Sequence, residues 1–438
     1  MRRAVALVAA AAAAAAGPTA VRAARDAAPG VNPRPVRLVR PAARPLSAMA
    51  EIGRDLFFDP RLSRSGRQSC AGCHNPAHAY GPPDGRSVQP GGAGGRTEGG
   101  RAVPGLRYVD RVPPFSIGPD DAVEGAAPAP PAAPLSPAAR PRKLAGTSTG
   151  QALVPRGGLF WDGRAATLQD QAMGPLFGPL EMANRDTAAV AGRVRRAYGA
   201  QLAALVGPEA VANPRQVVWE AMYAVVRFGV EDPSFHPYSS KYDAWLEGRA
   251  RFTAAEARGL RLFEDSARGN CAGCHPDRPG PDGEPPAFTD FQYEALGVPR
   301  NRQLPANHDS GRYDLGLCGP ARTDLGRDPR YCGMFRTPSL RNVATRQVFF
   351  HNGVYHRLED VLDFYALRDA RPGAVYPRGT DGRVQRFDDL PAAYRGNVDT
   401  TDPPFGHAAG AASALTARDR RDLIAFLETL TDGYRAPR

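Results

Sequence analysis

Lysine is nearly missing from this 438-residue chain: all but two of its 56 basic side chains are arginine, the exceptions being Lys143 and Lys241. No run of basic residues interleaved with aromatics occurs either, so the net charge of +11 does not read as a nucleic-acid surface. It is a diffuse positive field that favours acidic partners. Long apolar runs are also missing. The longest, the alanine-dominated residues 4–16, is too short for a stable bilayer span. With Arg2 and Arg3 before it and small residues at Ala23 and Ala24 after it, residues 1–24 read as a signal peptide cleaved on export to the periplasm. The alternative is an uncleaved N-terminal anchor. The mature chain is then expected to have no transmembrane segment and to occupy an oxidising compartment. Alternating strand patterns are absent too. What is abundant is glycine and proline, 47 and 44 residues, about a fifth of the chain against a usual share of roughly 12%. Long irregular connections are therefore expected, notably over 81–145 and 276–335. The hydrophobic share of 42% still permits packed cores and excludes wholesale disorder.

Cysteine is scarce but ordered. Of six, Cys70, Cys73, Cys271 and Cys274 form two CAGC segments, each followed at once by a histidine, His74 and His275. The surroundings repeat as well. Ile52-Gly-Arg-Asp-Leu-Phe precedes the first motif and Arg258-Gly-Leu-Arg-Leu-Phe the second. Thr253 and Glu256 make a capping-box pair, and Leu260 and Phe263 fall on one helical face. Ser47 with Ile52 and Leu56 is a looser version. Further helices are expected over 214–230, around Leu358, Val361, Leu362 and Tyr365, and over 416–430 behind Thr416.

In an exported chain CxxCH is the attachment site of c-type haem: two thiols add across the vinyl groups and the adjacent imidazole binds iron. A four-cysteine zinc site would have to join pairs about 200 residues apart, against the usual 15–20, and a dithiol redox motif leaves both histidines unexplained. The expected fold is mainly α, with two cytochrome c-like helical domains near 45–236 and 237–438. Each is built around one covalently attached haem, with long coil connections. Cys318 and Cys332 remain. They are most simply a disulfide closing a loop of about 15 residues, stabilising by about 3 kcal/mol; a redox-active pair is the alternative.

With two haems placed, the chain resembles the bacterial di-haem cytochrome c peroxidase superfamily, and within it the MauG-like branch. The residues that carry the resemblance span nearly the whole mature chain: Leu56-Phe-Phe-Asp-Pro-Arg-Leu-Ser, Phe160-Trp-Asp-Gly-Arg-Ala, Gln171-Ala-Met-Gly-Pro-Leu, Pro179-Leu-Glu-Met, Phe335-Arg-Thr-Pro-Ser-Leu-Arg-Asn, Phe350-His-Asn-Gly and Leu358-Glu-Asp-Val-Leu-Asp-Phe-Tyr. The resemblance implies that the His74 haem, in the N-terminal domain, is the peroxide site. Glu181, ten residues after Gln171, would be its acid–base catalyst, with Pro175 four after Gln171. Trp161 would carry electrons between the haems. The His275 haem, in the C-terminal domain, would serve electron transfer. Its sixth ligand, a methionine in the peroxidases proper, would be Tyr365, with Met334, His351 and His356 as alternatives. A phenolate stabilises ferric and higher iron states. Where some relatives carry a second histidine capping the peroxide-site iron, this chain has Pro90. Relatives often hold calcium between the domains; the corresponding places here are Leu144 and Arg346-Gln-Val348.

The implied activity is reduction of hydrogen peroxide with electrons from a small cytochrome c or copper protein, or from an oxidisable substrate. Two rival expectations keep the fold: a MauG-like oxidase that modifies residues of a partner protein, and a non-catalytic di-haem electron carrier.

Overall fold

Local signals decide where the helices begin. A computed structural model describes residues 30–119 and 153–436, so the signal-peptide expectation and Leu144 lie outside the described residues. The helices that build the molecule are α1 (Ala48–Phe58), α2 (Leu168–Phe177), α3 (Thr187–Val206), α4 (Pro214–Glu231), α5 (Lys241–Leu246), α6 (Ala254–Glu264), α7 (Leu358–Leu367) and α8 (Ala417–Glu428). Ser47 caps α1, its Oγ accepting from the Ala50 N–H and donating to Glu231 at the end of α4. Thr253–Glu256 and Thr416–Asp419 form complete capping boxes at α6 and α8. These side chains satisfy the free N–H groups of each first turn.

The sequence repeat becomes a packing repeat. Gly53 of α1 lies against α4 so closely that a Cβ there would sit 1.8 Å from the Ala224 carbonyl oxygen. Gly259 of α6 does the same against α8, where a Cβ would sit 2.0 Å from the Asp422 oxygen. Each helix leading to a CAGCH segment thus crosses a partner backbone to backbone. Around the first crossing Leu56, Val190, Val194, Leu202, Val217 and Ala221 form one core; around the second, Leu260, Phe263, Phe288, Leu362, Leu423 and Phe426 form another. Leu38 belongs to this second core. The segment from Gly30 is tied there by its own backbone: Gly30 O accepts from Phe252 N at 2.8 Å, and Val36 N donates to Leu246 O at 2.9 Å.

The glycine/proline-rich stretch is not without regular structure, as the sequence suggested. It carries β1 (Pro90–Gly91) antiparallel to β2 (Thr97–Glu98), and β3 (Ser116–Pro119) antiparallel to β4 (Leu153–Arg156). A third pair joins β5 (Tyr293–Glu294) to β6 (Phe335–Arg336). Cys318 and Cys332 are joined by a disulfide just before β6. Among the described residues no helix is long and apolar enough to cross a membrane.

Candidate functional site

The two histidines are held by the same device. His74 Nδ1 lies 3.1 Å from the Tyr80 carbonyl and His275 Nδ1 lies 2.8 Å from the Phe288 carbonyl. A carbonyl only accepts, so Nδ1 carries the proton in each ring and Nε2 keeps its lone pair. Both acceptor residues sit in the left-handed region, Tyr80 at φ 56° and Phe288 at φ 52°, a costly conformation for aromatic residues that concentrates at functional sites. Packing holds them there: Tyr80 stacks on Phe235 at 3.8 Å, and Phe288 is packed edge-on to Tyr242 and Phe263. Burial pushes both imidazoles down to about 4, against the pull of the neighbouring carbonyls. Both rings are therefore uncharged at neutral pH.

Cys70, Cys73 and Cys271 are in no disulfide. Burial pushes Cys70 and Cys271 up to about 12 and Cys73 to about 11, the opposite of the depressed values that make a dithiol redox centre reactive. Among the described residues no group of three or more His, Cys, Asp or Glu side chains is placed to hold a metal ion.

Glu181 lies in the turn after α2, three residues past Gly178. Its N–H donates to the Gly178 carbonyl, the Met182 N–H donates back to Pro175 O, and Gly92 N donates to Glu181 O at 2.7 Å. A Cβ on Gly91 would strike the Leu180 carbonyl at 2.1 Å, and one on Gly178 would lie 2.4 Å from the Glu181 carboxylate. Gly91 meets backbone there and cannot be replaced without moving it, whereas at Gly178 it is the Glu181 carboxylate that would have to shift. Glu181 keeps accessible surface of its own, but the protein around it pushes its carboxyl above the usual range, opposed by the Arg164 guanidinium. The charge of Glu181 also bears on the Cys73 thiol, which puts the carboxylate on the His74 side. Arg164 is fixed over the Phe160 ring at 3.7 Å and paired with Asp162 at 2.9 Å. Gln171 and Pro175 are half-buried on α2.

The second motif opens onto a cavity whose lining includes Cys271, Cys274, His275, Tyr365, Leu358 and Leu362. Tyr365 stacks on Phe405 at 5.5 Å, and burial pushes its phenol well above the ordinary value, with the two thiols adding to the effect. Of the alternative ligands, Met334 is buried against Tyr293, Leu317 and Tyr331, and His356 lies 3.4 Å from Ser87 Oγ; neither lines the cavity. His351 does line it, but at the wall shared with Trp161, where it stacks on Phe335 at 3.5 Å.

That wall links the two motifs. Trp161 Nε1 donates to Ala102 O at 2.8 Å, and the Trp161 carbonyl accepts from Arg336 N at 2.9 Å. Pro104, two residues past Ala102, lines the cavity and also offers its carbonyl to His74. Arg346, which faces the same cavity, donates to the carbonyls of Val103 and Val348. Two buried thiols, an imidazole with a free Nε2 and apolar walls are the donor set a c-type haem requires, and the residues of both motifs fit it. The glycine clamp on Glu181, and Arg336 and Arg346 on the cavity wall, carry no motif of their own, and His351 is offered by the sequence only as an alternative ligand. The blocks Phe335-Arg-Thr-Pro and Phe350-His-Asn-Gly were the signal that pointed near them.

Comparison with known proteins agrees with this geometry. A family profile described as di-haem cytochrome c peroxidase matches residues 47–251. The methylamine utilization protein MauG of Paracoccus denitrificans is 34% identical over 414 residues, covering 89% of this chain and 90% of that protein. The cytochrome c551 peroxidase of Nitrosomonas europaea is 28% identical over 336 residues, three quarters of each chain. Among solved structures, the diheme peroxidase BthA from Burkholderia thailandensis superposes with a TM-score of 0.75 at 36% identity, covering 92% of this chain and 94% of that one. Two histidines held alike, and relatives matched over most of their length, lead to one assignment: the chain belongs to the di-haem cytochrome c peroxidase family, with MauG proteins among its relatives.

Proposed function

We propose that this chain is a di-haem c-type peroxidase of the periplasm, exported by residues 1–24, that reduces hydrogen peroxide with electrons from a redox protein or an oxidisable substrate. The observation that carries the reading is Glu181: a carboxyl raised by its surroundings, clamped by glycine backbone, on the His74 side of the molecule.

In this reading Cys70 and Cys73 hold one haem covalently with His74 Nε2 on its iron, and Cys271 and Cys274 hold the other, with His275 and Tyr365 as axial ligands. The haems, when bound, supply the electrons and the peroxide-binding iron. The domains divide near residue 236, into 45–236 and 237–438. Glu181 moves the proton. Peroxide takes up two electrons and two protons to give two waters, and a carboxylate accepts a proton from one peroxide oxygen and returns it to the oxygen that leaves. Its raised pKa brings proton affinity closer to operating pH. The Arg164 guanidinium opposes that rise. Gln171 and Pro175 shape the same helix. Where a capping histidine would sit, Pro90 instead forms part of the strand that clamps Glu181, which leaves the peroxide face open. Trp161, between the His74-side peptide and the second cavity, carries electrons across. No residue is assigned to calcium.

Replacing Glu181 with Gln is expected to leave two haems attached, counted by absorbance of the denatured chain, and to slow peroxide-driven oxidation by about 100-fold. Unchanged turnover overturns the assignment. The 34% identity to a MauG protein, together with Tyr365 on the cavity wall, favours a second reading, oxidation of residues on a partner protein. Rapid turnover with a reduced small cytochrome or copper protein favours the first reading over this one.

A further inference from the structure

A second repeat lies outside the CAGCH motifs. Val103-Pro-Gly-Leu-Arg-Tyr-Val matches Thr337-Pro-Ser-Leu-Arg-Asn-Val at the proline, the leucine, the arginine and the last valine. The two stretches fold alike. Tyr108 sits at φ 63° and Asn342 at φ 60°, each in the left-handed region and each opening one short helical turn. Each loop also serves one motif histidine in the same way. Leu106 N donates at 3.2 Å to the Tyr80 carbonyl that accepts from His74 Nδ1. Leu340 N donates at 3.3 Å to the Phe288 carbonyl that accepts from His275 Nδ1. Pro104 and Pro338 each offer a carbonyl of their own to the same ring. The loops therefore fix the acceptors on which both Nδ1–H bonds depend.

One carboxylate joins the two loops at their equivalent residues. Asp432, beyond α8, has a side chain that is 3% exposed. Its Oδ2 accepts from Tyr108 Oη at 2.7 Å, from Asn342 Nδ2 at 2.7 Å and from Arg107 Nη1 at 3.2 Å. Its Oδ1 accepts from Ser239 N at 3.0 Å. A carboxylate this buried is stable only with its oxygens satisfied, and its donors come from both repeats and from the segment between the halves. Backbone bonds hold each loop to its own half, Tyr108 N to Phe235 O at 2.9 Å and Asn342 N to Leu430 O at 3.0 Å. The Asp432 side chain, with Arg107 donating to Asn342 Oδ1 at 3.1 Å, holds one loop to the other. We propose that Asp432 is a positioning residue for both iron ligands: by tying Tyr108 to Asn342 it steadies both loops, and through them the carbonyls that bind His74 and His275. The proposal rests on the di-haem reading above. A carbonyl on Nδ1–H makes the imidazole a stronger donor to iron, so loosening that bond raises the potential of the haem and weakens its iron–histidine bond.

Two measurements on the purified two-haem protein test it: the midpoint potential of each haem by spectroelectrochemistry, and the iron–histidine stretching band of the ferrous His74 haem by resonance Raman. Asp432→Ala is expected to move that band down and to raise both potentials. Loss of a negative charge raises potentials by itself, so Tyr108→Phe supplies the arm without a charge change. It removes one hydroxyl from the first loop and is expected to move the band down and to raise the potential of the His275 haem as well as that of the His74 haem. Thr253→Ala, a helix cap in contact with neither loop, is expected to lower stability and leave band and potentials in place. A wild-type band in Asp432→Ala, a wild-type potential for the His275 haem in Tyr108→Phe, or a band moved as far by Thr253→Ala overturns the proposal. If Asp432→Ala fails to load both haems, Tyr108→Phe decides on both readouts. Such a result leaves the peroxidase reading standing, whereas a wild-type chain with one haem or none removes that reading first.

Discussion

Gly53 and Gly259 occupy the same place in the two halves, and each does what no other residue can. Both sit mid-helix, where glycine costs about 1 kcal/mol relative to alanine, and both meet a backbone carbonyl at a distance no Cβ tolerates. A carbonyl of a packed helix cannot swing aside as a flexible side chain does. Gly259→Ala must therefore part α6 from α8, with an expected loss near the upper end of overpacking costs, about 3 kcal/mol. Gly229→Ala in α4 is the control, because nothing lies within 4 Å of its added Cβ; it is expected to be neutral or slightly stabilising. Urea midpoints at unchanged m compare the two, and equal midpoints contradict the crossing argument. At this scale the sequence is readable where chemistry fixes spacing. The CAGCH cysteines and histidines declare themselves because thioether attachment sets their separation. Glu181 does not, since a glutamate in a turn looks like a surface charge until a family's spacing singles it out. Gly91, Arg336 and Arg346 are unreadable alone: their meaning depends on segments tens to hundreds of residues away.

Among the elements, the capped or striped helices α1, α4, α6, α7 and α8 are legible in the sequence, whereas α2, α3 and α5 are not among those expected from it. Capping boxes and 3.6-residue stripes are local, so Thr253–Glu256 and Thr416–Asp419 mark α6 and α8 directly. The ladders β1–β2 and β5–β6 have two residues per strand, too few for any alternation to show. The partners of β3 and β4 lie more than thirty residues apart. The strap from Gly30 to Arg40 was equally hidden, because its hydrogen bonds go to Leu246, Glu247 and Phe252 rather than to neighbours. The caps differ in what else they do. Thr253 only closes its own helix with Glu256, whereas Ser47 also holds the end of α4 through Glu231. Thr253→Ala is expected to cost about 1 kcal/mol. Ser47→Ala is expected to cost at least as much while Glu231 is intact; in a Glu231→Gln background the Ser47 substitution should cost measurably less. Denaturant melts of the wild type, the two single variants and the double variant check this coupling, and strictly additive losses contradict it.

Taken whole, the molecule holds carboxylates of two opposed kinds, and they set its response to pH. Asp243, Asp314 and Asp369 are buried, which alone would push them up, but Arg341, Arg101 and Arg368 more than offset this and hold them below the usual range. Such groups bind fewer protons folded than unfolded. Their stabilisation is present above the unfolded value of about 3.9 and is lost as pH falls through the folded values. Asp389 is the reverse: burial pushes it up to about 7 against Asn352 and Arg300. Glu264 is likewise pushed up to about 7 by burial and by the charge of Asp277. These groups stabilise the fold while protonated, fully below about pH 4, and lose that contribution as pH rises through 7. The two limbs leave a stability maximum near pH 4. The urea midpoint is therefore expected to fall at pH 3 and again at pH 8.5. Between pH 5.5 and 8.5 a group with a folded pKa near 7 accounts for about 2 kcal/mol of the loss. Asp389→Asn cannot ionise and should flatten the alkaline limb by about that amount while leaving the acid limb in place. A wild-type midpoint that stays level from pH 3 to 8.5, or an Asp389→Asn variant with an unchanged alkaline slope, contradicts this balance of charges.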